Sequence, residues 1–126
     1  MRLMKKYKIG FDIGGVITTH TSLLRDIISI LAKSDKVELF IVTDMEQDVA
    51  KELLEKNHFH FDSDHVLSAD WLKYESRCKE EICKEYGIDI LLDDYMPYLT
   101  GLSTTLGVLL MPKNNWPYNP CEWEAS

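Results

Sequence analysis

Residues 7–16 read YKIGFDIGGV, and residues 88–95 read IDILLDDY. Each is an apolar run that stops abruptly at a carboxylate: Asp12 in the first, the pair Asp93-Asp94 in the second. Short apolar runs bounded by turn residues are the mark of buried strands. A third run, Val37 to Val42, ends at Thr43. Between these runs the pattern becomes helical. Residues 22–33 carry Leu23, Leu24, Ile27, Ile28 and Leu31 as a stripe. Asp44, with Gln47 three residues later, has the form of a capping box opening a helix with Val49, Ala50, Leu53 and Leu54 on its inner face.

The alternation continues to the end of the chain. Residues 65–68 predict a short strand, and 76–86 a helix stopped by Gly87. The strand over 88–92 follows, then a short helix opened by Pro97 and a last strand over 106–111. Strands alternating with helices imply right-handed crossovers. The predicted fold is therefore α/β: a Rossmann-like, mainly parallel sheet with helices on both faces. The length of 126 residues fits one domain, with a core over about 7–112. Residues 113–126 are expected to be an irregular tail packed on the body, and Trp116, Tyr118 and Trp123 are read as its anchors.

Charge narrows the function classes. Fourteen basic against 21 acidic residues give a formal charge of −7, which repels nucleic-acid backbones and anionic lipid. A nucleic-acid partner is disfavoured on that ground. No stretch reaches 18 apolar residues, so no membrane span is expected. The basic start followed by an apolar run superficially suggests a signal peptide. That run contains Asp12 and lacks a small-residue cleavage site. Cys78, Cys83 and Cys121 are odd in number and lack framework or zinc-ligand spacing, which points to reduced thiols and a cytoplasmic chain.

Parallel α/β sheets place their sites beyond the carboxyl ends of the strands. Asp12, Thr43 and Asp93 all fall there. A carboxylate at a strand end serves as acid, metal ligand or nucleophile, or merely caps a turn. Gly14 and Gly15 let the backbone approach an anion and present N–H groups to it. Thr43 offers a hydroxyl to a phosphoryl oxygen, or simply starts the next helix. Lys79 can neutralise phosphate charge, or sit solvated on a helix. Adjacent carboxylates such as Asp93-Asp94 repel one another unless a cation joins them, so this pair is the least ordinary feature.

The ordered set FDIGGVIT, LFIVTD, a helical Lys79 and DILLDDY resembles the four motifs of the haloacid dehalogenase-like (HAD) superfamily over residues 7–112. The resemblance implies a Mg²⁺-dependent phosphomonoester hydrolase. Asp12 would form an aspartyl phosphate. Mg²⁺ would be held by Asp12, Asp93 and the backbone carbonyl of Gly14, with Asp94 nearby. Thr43 and Lys79 would hold the phosphoryl group beside Gly14 and Gly15. The chain departs from the pattern at one position. Most family phosphatases carry an acid/base Asp two residues after the nucleophile, where Gly14 stands here. Such help contributes about 10²- to 10⁴-fold, so slow turnover is implied. Asp44 and His20 are the candidate substitutes, and halide chemistry, whose family branch also lacks that Asp, stays open.

The intervals from Asp12 to Thr43 and from Thr43 to Lys79 are filled by helix and strand, leaving no room for the family's cap domain. An open site suits a phosphorylated substrate that is bulky, macromolecular or nucleotide-like, or one closed by an oligomeric partner. Residues 89–99 and Pro117-Tyr118-Asn119 add a nucleotidase-like hint. The alternative is a catalytically silent HAD-like domain that binds a partner or a phosphorylated ligand. A response-regulator receiver needs its acidic pair on the first strand, the reverse of the order here. A P-loop and a dinucleotide fingerprint are both absent. His58, His60 and His65 with Asp62 and Asp64 read as solvated surface before they read as a metal site.

Overall fold

The computed structural model describes residues 5–69 and 78–111. Five strands form one sheet: β1 (Tyr7–Phe11), β2 (Val37–Thr43), β3 (Val66–Ser68), β4 (Ile90–Asp93) and β5 (Leu106–Leu109). Their order is β3-β2-β1-β4-β5, and every neighbouring pair is parallel. The helices are α1 (Thr21–Leu31), α2 (Gln47–Lys56), α3 (Cys78–Tyr86) and α4 (Met96–Thr100). The chain lays β2 and β3 to one side of β1, then crosses to lay β4 and β5 on the other. The order reverses between β1 and β4, where such sheets open a crevice beyond their strand ends.

Side chains alternate across the sheet with period two, and each set meets different helices. Phe11, Ile41 and Val66 pack with Leu24 and Ile28 of α1 and with Ala50 and Leu54 of α2. On the opposite face Phe40, Val42, Leu67 and Leu91 pack with Ile82 and Cys83 of α3, and Tyr98 and Leu99 of α4 lie against them. This is the expected α/β sandwich, with helices on both faces. Gly10 points to the second face, where a Cβ would lie 2.8 Å from Val42 Cγ2 and 3.4 Å from Ile88 and Leu91. Its missing side chain lets the first strand sit close beneath that layer.

Several local expectations are corrected. The capping box does not form. Thr43 Oγ1 instead accepts from the Met45 N–H at 3.1 Å, the helix begins only at Gln47, and Glu46 precedes it without a side-chain cap. The Gln47 amide reaches away to the carbonyls of Ser63 and Val66. In α1 the core stripe is Thr21, Leu24 and Ile28, while Leu23 and Ile27 face outward. In α2 Val49 is likewise exposed. A run of consecutive apolar residues spans more of the helix circumference than one sheet face can cover, so its flanks remain outside. The third strand begins at Val66, the fourth at Ile90, and the last ends at Leu109. Gly87 ends α3 with φ +68, as its position predicts. The expectations for residues 76–77 and for the tail from 112 onward, including Trp116, Tyr118 and Trp123, lie outside the described residues.

His65 joins the edge strand to its neighbour. Its Nε2 lies 2.7 Å from Glu38 Oε2, its Nδ1 lies 2.9 Å from Asp64 Oδ1, and its ring stacks on Phe40. With both nitrogens engaged by carboxylates, the ring favours the imidazolium form. Burial opposes that charge, but Asp64 and Glu38 outweigh it and raise the His65 pKa above its ordinary value of 6.5. A raised folded-state pKa stabilises fully below the unfolded value and is lost as pH rises through the folded value. The melting temperature of the parent should therefore exceed that of His65→Gln most between about pH 5 and 6.5, with the gap narrowing at higher pH. A gap that stays constant across this range would remove the charge from the account.

Candidate active site

The site is assembled from the ends of β1 and β4 and the first turn of α3. Asp12 extends the ladder beyond β1, its N–H donating to the Leu92 carbonyl at 3.0 Å. The chain then turns through Ile13–Ile17. Gly15 makes that turn possible, because its φ is +73 and a Cβ there would collide with the Asp94 carboxylate. The Gly15 N–H donates to Thr18 Oγ1 at 2.9 Å. Gly14 has an ordinary backbone (φ −65, ψ 128), and nothing lies within 4 Å of where its Cβ would be.

Lys79 is the centre of the arrangement. Its side chain is fully buried. Its Nζ donates to Asp12 Oδ1 at 2.8 Å and to Asp93 Oδ2 at 2.7 Å, tying the ends of β1 and β4 together. The Tyr98 ring covers it, with its centroid 4.7 Å from Nζ. Asp93 Oδ1 accepts the Tyr95 N–H at 3.0 Å, so both of its oxygens are held. Asp12 meets Lys79 through Oδ1. Carboxylate oxygens of Asp12, Asp93 and Asp94 come within 4.8 Å of one another.

Three carboxylates around one ammonium leave the site with excess negative charge. Burial, with Asp93 adding repulsion and Lys79 opposing it, pushes the Asp12 pKa up to about 7. Burial also works against charge on Lys79, but Asp12 and Asp93 outweigh it and hold the ammonium form. Asp94 is raised as well, first by burial and then by Asp93. A bound divalent cation would reverse the pull on the carboxylates.

In front of this cluster lies an open cleft of about 360 Å³, lined by Asp12, Gly14, Asp44, Met45, Asp94, Tyr95 and Tyr98. Asp93 and Lys79 support it from behind. Thr43, on the neighbouring strand, is fully buried and does not line the cleft, and its Oγ1 accepts the Met45 N–H, which leaves its O–H as a donor. Gly15 also stands back from the lining. Of the two acid/base candidates, Asp44 lines the cleft and His20 does not. Tyr95 and Tyr98 were not singled out from the sequence. Their spacing of three across the start of a short helix, just after the acidic pair, is the signal that marks them. Tyr98 Oη donates to Asp44 Oδ2 at 3.1 Å, and the two rings meet edge to face at 4.9 Å.

Elsewhere the chemistry is quieter. Hollows of about 300 and 210 Å³ flank residues 59–62 and hold none of the strand-end carboxylates. The group Asp62, Asp64 and His65 is compact, but both His65 nitrogens are already engaged, and His60 is exposed. Cys83 is buried, and burial pushes its thiol up to about 11, far from a reactive thiolate. No described helix is long and apolar enough to cross a membrane. Searches of family models, of curated proteins and of solved structures find no match to the chain.

Proposed function

We propose that the chain is a Mg²⁺-dependent phosphomonoester hydrolase of the HAD-like type, with Asp12 as the phosphoryl acceptor. The observation that carries this reading is Lys79: a fully buried lysine shared between Asp12 and Asp93 at the sheet's reversal point. One ammonium leaves the three clustered carboxylates with surplus negative charge, which a dication bound beside a phosphate would balance.

The residues fit the metal. Mg²⁺ takes oxygen ligands and keeps several waters. Asp12 and Asp94 line the cleft, and a carboxylate oxygen of the buried Asp93 lies within 4.8 Å of theirs, where it would exchange a present partner for the ion. Asp12, Asp93 and the Gly14 carbonyl would hold it, with Asp94 beside them. When bound it would neutralise phosphate charge and relieve the repulsion between the phosphate and Asp12. Lys79 adds fixed positive charge and orients Asp12 through Oδ1 at the cleft wall. In the first step a carboxylate oxygen of Asp12 bonds to phosphorus, the P–O bond to the alcohol breaks, and the departing oxygen takes its proton from solvent water, the hydroxide left behind being neutralised by the proton that the attacking water gives up in the second step. In the second, water attacks phosphorus, inorganic phosphate departs and the Asp12 carboxylate returns. Positioning and charge neutralisation supply most of the catalysis. Asp93→Asn should weaken Mg²⁺ binding at least tenfold by titration calorimetry, of the order lost when metal-site support is removed. Undiminished binding in that variant would displace the metal from this site.

Gly14 favours a second reading, a silent domain that binds a phosphorylated ligand, because it leaves the leaving group without a proton donor from that position. The two separate on one variant. Gly14 has an unstrained φ and open space, so Gly14→Asp should fold as the parent does. The new carboxyl would donate to the leaving oxygen and then activate water. Turnover of an aryl phosphate should rise about tenfold or more, with an unchanged melting temperature. A stable variant as inactive as an inactive parent would favour the silent domain.

A further inference from the structure

We infer that the substrate's alcohol carries an alkylammonium group, so that the cleft selects aminoalkyl phosphates, with Asp44 and Tyr95 as the specificity-determining residues. This rests on the phosphomonoester reading of the cleft. Whatever the ester, its phosphate end belongs at Asp12 and Gly14. The remainder of the molecule then meets Asp44, Met45, Tyr95 and Tyr98, which line the rest of the same cleft. Among the described residues lining it there is no lysine or arginine. A substrate carrying a carboxylate or a second phosphate would meet Asp44 and Asp94 with like charge. A neutral alcohol would gain nothing from the Asp44 charge.

An ammonium group is matched twice. Tyr98 is already committed, with Lys79 near its ring and its hydroxyl on Asp44. That hydrogen bond holds the Asp44 carboxylate at the cleft. Tyr95 is about half exposed (53%) and meets Tyr98 edge to face, so it offers aromatic surface to the cleft. An aromatic face beside a carboxylate is the usual setting for an alkylammonium ion, which gains from the ring quadrupole and from the charge together. The cleft's volume of about 360 Å³ suits a small molecule. Hydrolysis would consume one water and release the amino alcohol and inorganic phosphate.

The test compares aminoethyl phosphate with propyl phosphate, which is similar in length and neutral at its far end, using the full chain with Mg²⁺. The kcat/KM ratio should favour the aminoethyl ester about tenfold and decline as salt is added. The ratio should collapse toward one in Asp44→Asn and in Tyr95→Ala, and survive in Tyr95→Phe, which keeps the ring. An acid/base role for Asp44 would instead lower kcat for both esters alike and leave the ratio standing, which would overturn the inference. A parental ratio near one, or a stronger preference for a nucleoside monophosphate, would overturn it too. If neither ester is hydrolysed, the hydrolase reading fails, and the cation site is decided separately by NMR titration with tetramethylammonium. Saturable shifts at Tyr95 that vanish in Asp44→Asn would support the site, and their absence would remove it.

Discussion

Lys79→Met should melt far below the parent at pH 8. Methionine fills nearly the same volume but removes the ammonium that Asp12 and Asp93 share at 2.8 and 2.7 Å. Two buried carboxylates would then face each other, with Asp94 close by and no counter-charge. Removing one partner of a buried ion pair costs about 3–5 kcal/mol, chiefly because the remaining charge is stranded. For a domain of this size that is a fall of about 10 °C or more. The sign of the pH dependence follows from the same charges. Stranded carboxylates have raised folded-state pKa values and destabilise the fold while ionised, so acidification through those values returns stability. Melts followed by circular dichroism at pH 8 and pH 5.5 should show the variant recovering part of its deficit at the lower pH. A deficit smaller than about 2 °C at pH 8 would mean that Lys79 is not the counter-charge described. Added Mg²⁺ should raise the variant's melting temperature, since a dication at the carboxylates restores the missing charge.

The fold was legible because its signals are local. Apolar runs interrupted by Gly14-Gly15, Asp44 and Gly87 separate strands from helices without reference to the rest of the chain. The parallel order then follows from crossover handedness, and with it the meeting of Asp12 and Asp93 at one edge. What the sequence did not show depends on long-range contacts. The Asp44–Gln47 spacing matches a capping box, yet the Gln47 amide is turned away from the helix start and donates to the carbonyls of Ser63 and Val66. The stripe of α1 looks wider in sequence than the face the sheet covers. The sequence alone also left Lys79 closer to a solvated surface residue than to a buried one. Only the pairing of β1 with β4 shows that two carboxylates converge on its ammonium. Tyr98 was missed for the same reason, since its contacts to Lys79 and Asp44 join elements far apart in the chain. Thr43 was placed at the right edge, and the buried position of its side chain, with Oγ1 accepting the Met45 N–H, depends on the turn that follows.

Asp12→Asn should abolish phosphomonoester hydrolysis and leave the fold in place. The amide matches the carboxylate in size and can still accept from Lys79 through its oxygen, so the tie between β1 and β4 persists. It cannot become a phosphate acceptor, because an amide oxygen is too weak a nucleophile and would not yield a hydrolysable acyl phosphate. Removing one of the buried negative charges also relieves repulsion with Asp93 and Asp94, which offsets part of the lost ion pair. The melting temperature should therefore move by no more than a few degrees, far less than for Lys79→Met. Activity should fall by several orders of magnitude, to the level without enzyme. Loss of the circular dichroism signal in this variant would instead make Asp12 a structural carboxylate.

Whether Asp12 accepts the phosphoryl group is read by trapping the phosphoenzyme. The parent is mixed with Mg²⁺ and an aryl phosphate, quenched in acid during turnover, digested, and examined by mass spectrometry. The expected product is one phosphoryl group on the peptide that contains Asp12, labile to hydroxylamine, absent without Mg²⁺ and absent in Asp12→Asn. Steady hydrolysis by the parent with no phosphoryl group on that peptide, together with undiminished hydrolysis by Asp12→Asn, would contradict an acceptor role for Asp12.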